Sequence, residues 1–194
     1  MKSKIHIVLV LISIFLISCG SDPATQSDLD GEEVIVELPY GEGDVLMLEH
    51  SDMNFSICYG SENDSLKFSD FSGKVILLNL AASWWGPCYN EIPGMDAMVQ
   101  ENFTEDQVAF ITVLDDLGQP HTCDSWGNHG EMNYPYIIDD GQTYFIYEWF
   151  FSTTNNPDFP KNILIDHNME VQYKLEAYSE ELLKLYIQEL VNSL

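Results

Sequence analysis

One segment constrains the fold more than any other: Gly73-Lys-Val-Ile-Leu-Leu-Asn-Leu-Ala-Ala-Ser-Trp-Trp-Gly-Pro-Cys88. Val75 to Ala82 is a continuous apolar run broken only by Asn79. A run of this kind is expected of a central strand covered on both faces. The chain then turns tightly and reaches a proline well placed for the first turn of a helix. Cys88 falls at the start of that helix, and catalysis through it would need the helix N-terminus to depress its pKa.

The rest of the domain alternates strands with helices. Val34–Leu38 and Val45–Glu49 read as short strands, and Asn54–Tyr59 with Ser65–Phe68 as a hairpin around Gly60 to Asp64. The central strand leads into a helix over Pro87–Asn102, which Pro93 should kink or restart one turn on. Val108–Leu114 is a second buried strand, and Thr122–Gly130 a short helix. Tyr136–Asp139 is a short strand, Tyr144–Phe151 an aromatic-rich stretch compatible with helix or strand, and Lys161–Asp166 with Glu170–Leu175 a further strand pair. Leu182, Leu183, Tyr186, Ile187, Leu190 and Val191 recur at three- and four-residue spacing, which makes Ser179–Asn192 an amphipathic helix capped by Ser179. The pattern predicts an α/β fold with a central mixed sheet flanked by helices and an N-terminal strand extension.

The N-terminus reads as an address. Lys2 and Lys4 precede an apolar run from Ile5 to Ile17, too short for a comfortable membrane span. Leu16-Ile17-Ser18-Cys19 resembles a bacterial lipobox, which implies cleavage after Ser18 and lipidation of Cys19. Two or more acyl chains hold a protein stably on a bilayer, whereas one does not. The expected organisation is a signal peptide over 1–18, a flexible acidic tether over 19–33 and one domain over 34–194, on the extracytoplasmic side where disulfides persist. The net charge is −25, and all seven basic residues are lysines. A surface so acidic repels phosphate backbones and excludes nucleic acid as a partner.

The Gly73–Val75 start, Asn79, the Trp84-Trp85-Gly86-Pro87-Cys88 block, Glu91-x-Pro93 and Pro160-Lys-Asn-Ile-Leu-Ile-Asp166 together resemble the thioredoxin fold. The similarity is greatest to its TlpA/ResA-like and AhpC/TSA branch, and it spans about Met53 to Leu194. The resemblance implies a thiol–disulfide centre. It places Trp85 at the nucleophilic cysteine, Cys88 at the resolving cysteine, Glu91 at an acidic residue near the site, and Pro160, after Phe159, at a cis-proline lining the substrate groove. The departure is Trp85. A chain with only the resolving thiol cannot close an internal disulfide across this turn.

Three readings of Trp85 are open. The site is redox-inactive and binds a protein ligand between Trp84-Trp85 and Pro160. Or Cys88 is the reactive thiol, as in peroxiredoxins, whose Thr-x-x-Cys block this segment resembles without the threonine. Or codon 85 encodes selenocysteine or cysteine, since Asn79-Leu-Ala-Ala-Ser-Trp-Trp-Gly resembles the glutathione peroxidase active-site pattern. A TGG codon excludes this last reading.

With Cys19 lipidated, Cys58, Cys88 and Cys123 are left, an odd number. Resemblance to atypical two-cysteine thiol peroxidases implies Cys88–Cys123 as a redox pair, and Cys58 reads as a packed apolar residue. His121, Cys123 and His129 lack a metal-binding pattern, Asp115-Asp116 and Asp139-Asp140 read as turn chemistry, and no cofactor is expected. The expected partners are protein thiols or disulfides, or small peroxides, together with a partner reductant and the membrane through the anchor.

Overall fold

The computed structural model describes residues 24–27, 33–60, 62–116, 118–130, 135–152 and 157–194. The signal segment, Cys19 and most of the tether lie outside these residues. The elements in chain order are β1 (Ala24–Ser27), β2 (Glu33–Val36), α1 (Leu48–Ser51), β3 (Phe55–Tyr59), β4 (Ser65–Leu66), a 3-10 turn (Phe68–Phe71), β5 (Val75–Ala82), α2 (Gly86–Asn102), β6 (Val108–Asp115), α3 (Cys123–Gly127), β7 (Tyr136–Asp139), α4 (Phe145–Phe150), β8 (Lys161–Ile165), β9 (Val171–Leu175) and α5 (Glu180–Val191). Among the described residues no helix is long and apolar enough to cross a membrane.

Seven strands form one mixed sheet in the order β4-β3-β7-β6-β5-β8-β9. β5 and β6 pair in parallel over eight residues, from Val75↔Val108 to Ala82↔Asp115. Every residue of both strands is buried. Alternate β5 side chains feed two separate cores. Ile76, Leu78 and Leu80 face a cluster with Ile92, Trp126, Phe150 and Phe159, while Val75 and Leu77 face Met95, Val99, Leu183 and Ile187. Burying each such aliphatic side chain contributes roughly 1.5–3 kcal/mol. Asn79 is the polar exception. Its Nδ2 donates to Asn162 Oδ1 at 3.0 Å across the β5–β8 pair, so the run tolerates an amide at that register position.

Several elements differ from the sequence expectation. Val45–Glu49 is not a strand: Val45 makes a single bridge to Glu170, and the chain then enters α1. The Tyr40 hydroxyl lies behind this change, since it accepts from Met47 N at 2.9 Å and pairs with His50 Nδ1 at 2.7 Å, holding the first turn of α1 in place. Part of the expected tether forms strand β1, paired antiparallel with β2 from Ala24↔Val36 to Ser27↔Glu33. The aromatic stretch, compatible with either helix or strand, is helical, with Tyr144 in the left-handed region at its start and Ile146, Tyr147, Trp149 and Phe150 buried. α2 runs through Pro93 as one helix. In α5, Leu182 is exposed, and Leu183, Ile187, Leu190 and Val191 form the buried face.

The aspartates at the C-terminal ends of β6 and β7 do more than form turns. Asp139 Oδ1 accepts from Gly141 N at 3.0 Å, as a turn residue should. Asp115 and Asp140, however, are buried, and each has a carboxyl oxygen with no partner. Burial pushes Asp115 up to about 8, helped by the neighbouring charges of Asp140 and Asp116. It pushes Asp140 up to about 7, against a hydrogen bond from Thr143. Both groups therefore hold a proton in the folded protein at pH values where the unfolded chain has lost it. Their contribution is fully present in acid and is lost as pH rises through about 7 to 8. Denaturant melts should give lower stability at pH 8 than at pH 5, by at most about 1.4 kcal/mol per pH unit for each group. Asp140→Asn should flatten that slope.

Candidate functional site

The site is built by the exit of β5. Ser83 N donates to Asp115 O at 3.0 Å, extending the parallel ladder by one residue, and its Oγ donates to the carbonyls of Asp116 and of Gln119. Trp85 N closes a turn onto Ala82 O at 3.0 Å. Trp85 is then the N-cap of α2, with extended backbone and no side-chain cap, because an indole offers no acceptor. Gly86 and Pro87 open the helix and Cys88 follows within its first turn.

The two tryptophans lie on the surface, 49% and 41% exposed, edge to face at 5.8 Å. Trp84 Nε1 donates to Asp116 Oδ2 at 2.8 Å, which fixes its ring over the β6 exit. Pro160 lies beside them by strand register. β8 runs antiparallel to β5 with Leu80↔Lys161, so Pro160 follows at the β5 exit, in a cis peptide bond with Phe159. Phe159 packs on Tyr147 at 5.3 Å, and Lys161 is buried with Asp158 and Glu176 as partners. Trp84, Trp85, Gly86, Pro87, Cys88, Glu91, Phe159 and Pro160 therefore gather at one end of the sheet.

Cys88 is free and 2% exposed. Burial pushes its thiol up to about 12; hydrogen bonding at Ala82 works against this, and the Glu91 charge adds to it. Loss of hydration thus outweighs the helix N-terminus at this position. Glu91, one turn on, is pushed up to about 7 by burial, and its Oε2 is buried without a partner. Beside it Tyr178 is pushed up to about 12 by burial and then by the charges of Glu180 and Glu91.

The expected Cys88–Cys123 pair is also corrected: Cys123 is bonded to Cys58, with the Cα atoms 6.0 Å apart. The reason lies in β3. Its register with β7 slips between Ile57 and Tyr59, leaving Cys58 as the extra residue of a bulge. A regular strand points successive side chains to opposite faces, whereas a bulge re-aims them. Cys58 and Tyr59 both reach α3 as a result. Cys58 bonds Cys123, and the Tyr59 ring lies so close to Gly127 that a Cβ there would meet it at 2.4 Å.

Sequence reasoning missed a second feature. The Tyr89 ring lies between His121 and His129, stacked at 3.6 and 3.7 Å, and the Tyr89 hydroxyl donates to Ser125 O at 3.4 Å. The two imidazoles thus bracket an aromatic ring instead of converging on a metal. The eight-residue spacing of the histidines around a short helix was the only signal for this. The odd cysteine count was the signal for Cys58.

Residues i and i+3 on a helix are neighbours, so the Glu91 carboxylate opposes ionisation of Cys88. Glu91→Gln should lower the Cys88 pKa and speed its alkylation above pH 7, read by peptide-resolved mass spectrometry across pH.

Residues 52–174, more than half of the chain, match the AhpC/TSA family. The fold is thioredoxin-like, as solved structures show. A Chlorobium tepidum protein assigned as the thiol:disulfide interchange protein DsbE is 23% identical, with 78% of this chain and 98% of that chain covered at a TM-score of 0.56. A secreted Mycobacterium tuberculosis disulfide oxidoreductase homologous to E. coli DsbE is 15% identical, with coverage of 74% and 100% and a TM-score of 0.57. The exposed lipoprotein thioredoxin Etrx1 of Streptococcus pneumoniae is 17% identical, with coverage of 71% and 100% and a TM-score of 0.52. On the match across its domain, this chain belongs to the AhpC/TSA family.

Proposed function

We propose that the protein is an extracytoplasmic thiol–disulfide redox protein, lipid-anchored through Cys19, that uses Cys88 as its redox sulfur. The organisation is a cleaved signal over 1–18, a linking segment over 19–33 and a redox domain over 34–194. One observation carries the reading: a free thiol in the first turn of α2, with Glu91 one turn on and cis Pro160 at the adjacent strand end. The similar structures include an exposed lipoprotein thioredoxin and a secreted disulfide oxidoreductase, which supports the location and the chemistry.

Substrate docks against Trp84, Trp85 and the Phe159–Pro160 edge. The Glu91 carboxylate takes the Cys88 proton, and the thiolate attacks one sulfur of a substrate disulfide. A mixed disulfide forms, the substrate S–S bond breaks, and the departing sulfur takes the proton back from Glu91. One thiol of a partner dithiol then attacks the Cys88 sulfur of the mixed disulfide, and the second substrate sulfur leaves as a thiol. The partner's other thiol displaces Cys88, which leaves as a thiolate and is reprotonated, so the partner ends as a disulfide and the substrate as a dithiol. With a small peroxide the same thiolate attacks one oxygen, the O–O bond breaks, the other oxygen takes the proton from Glu91 and leaves as water or an alcohol, and Cys88 becomes a sulfenic acid.

A second reading is favoured by the exposure of Trp84 and Trp85 over a buried thiol: a protein-binding module without turnover. The two readings separate on Cys88→Ser. The redox reading predicts that this variant loses insulin-disulfide reduction with dithiothreitol, or peroxide consumption, whichever the native protein shows. Unchanged binding of a partner with no turnover in either form would establish the module. Trp85→Cys tests the inherited geometry. It should create a Cys-x-x-Cys centre with at least about tenfold faster insulin reduction, lost again when Cys88→Ser is added.

A further inference from the structure

The α3 segment, residues 118–130, is fastened to the redox turn at several points. Ser83 Oγ donates to Gln119 O at 3.0 Å. Tyr89, the residue after Cys88, is held between His121 and His129, and its hydroxyl reaches Ser125 O. Trp126 is fully buried and belongs, with Cys88 and Ile92, to one apolar cluster. The segment therefore packs on Tyr89, the neighbour of Cys88 in the first turn of α2.

Its attachment to the sheet is covalent. Cys58–Cys123 joins α3 to β3 at a position with little backbone restraint. Cys58 is the bulge residue toward β7, and on the other side β4 pairs only with Phe55 and Ser56. Cys58 is half-buried, whereas Cys123 and Cys88 are buried, so the Cys58 end is the more exposed end of the disulfide. Non-covalent packing elsewhere in α3 is mixed. Trp126 Nε1 is buried without a partner, and α3 itself is a five-residue helix.

We propose that Cys58–Cys123 is a second, exchangeable redox centre, reduced by an external dithiol, and that its state controls access to Cys88. The inference rests on the reading of Cys88 as the redox sulfur. In the step itself, a thiolate of the dithiol attacks the Cys58 sulfur, the S–S bond breaks, and Cys123 leaves as a thiolate and is protonated. The second thiol of the reagent then displaces Cys58. Two electrons and two protons pass to the protein, and the dithiol becomes a disulfide. With the bond open, α3 is held by non-covalent contacts alone and Cys88 exchanges into solvent.

The test uses the intact protein with dithiothreitol as the dithiol and N-ethylmaleimide as the probe. Modification is read separately at Cys58, Cys88 and Cys123, while hydrogen exchange follows the β5 and β6 amides. The proposal predicts that dithiothreitol opens Cys58–Cys123 without denaturant, and that Cys88 labelling then rises at least about tenfold while β5 and β6 stay protected. The Cys58→Ser/Cys123→Ser double variant should label at the fast rate without reductant. A disulfide that resists dithiothreitol in the native protein overturns the proposal. So does a Cys88 rate equal in both forms, or one that rises only as β5 loses protection. If Cys88 opens on reduction but Cys88→Ser leaves turnover intact, the gate stands and the functional reading fails. If turnover needs Cys88 but labelling ignores the disulfide, the reverse holds.

Discussion

The site depends on one constraint, the burial of β5 on both faces. With no exposed residue from Val75 to Ala82, the strand can sit only between β6 and β8, with helices above and below. That placement fixes where the chain leaves the sheet. It puts Ser83 within reach of the β6 exit, turns the backbone at Trp85 and starts α2 beside Pro160. Every residue of the candidate centre inherits its position from this strand.

The chemistry at that exit is a contest between two environments. A helix start favours a thiolate, by roughly 0.3–1 kcal/mol for an exposed charge. Removing the sulfur from water opposes it, and with the thiol pushed up to about 12 burial wins. This balance suits a sulfur at the second position of a Cys-x-x-Cys centre, which ordinarily stays protonated until its partner has reacted. The unusual feature is what stands at the first position. Trp85 supplies an exposed apolar ring where the resemblance places a nucleophile, while the remaining thiol is buried. Glu91 completes the arrangement: a carboxyl at about 7 can give or take a proton near neutrality.

Much of this was legible in the sequence, and the reasons are physical. β5 and β6 announce themselves because a strand covered on both faces must be apolar throughout. α5 does so because one helical face repeats every three to four residues. The turn from Trp84 to Cys88 was legible through Pro87 and the cysteine after it. What escaped depends on contacts between segments distant in sequence. Cys58 reads as a packed residue under strict alternation, and only the bulge at that position turns it toward Cys123. Asp115 and Asp140 read as turn residues because their burial comes from packing around the strand ends. Val45–Glu49 has the composition of a strand, and a hydroxyl seven residues before Met47 redirects it into α1. The stacking of Tyr89 between two histidines joins a helix to a loop more than thirty residues away in sequence.

The measurement that bears most directly on this account is the sulfur map of the protein taken from its own host. Lysine-specific cleavage without reductant separates Cys58, before Lys67, from Cys88 and Cys123, which lie together between Lys74 and Lys161. Further cleavage at acidic residues then separates the last two. The account predicts a peptide containing Cys58 crosslinked to the one containing Cys123, with Cys88 as a free thiol and a tryptophan mass at position 85. A crosslink that includes Cys88, or a selenium or cysteine mass at position 85, would contradict it.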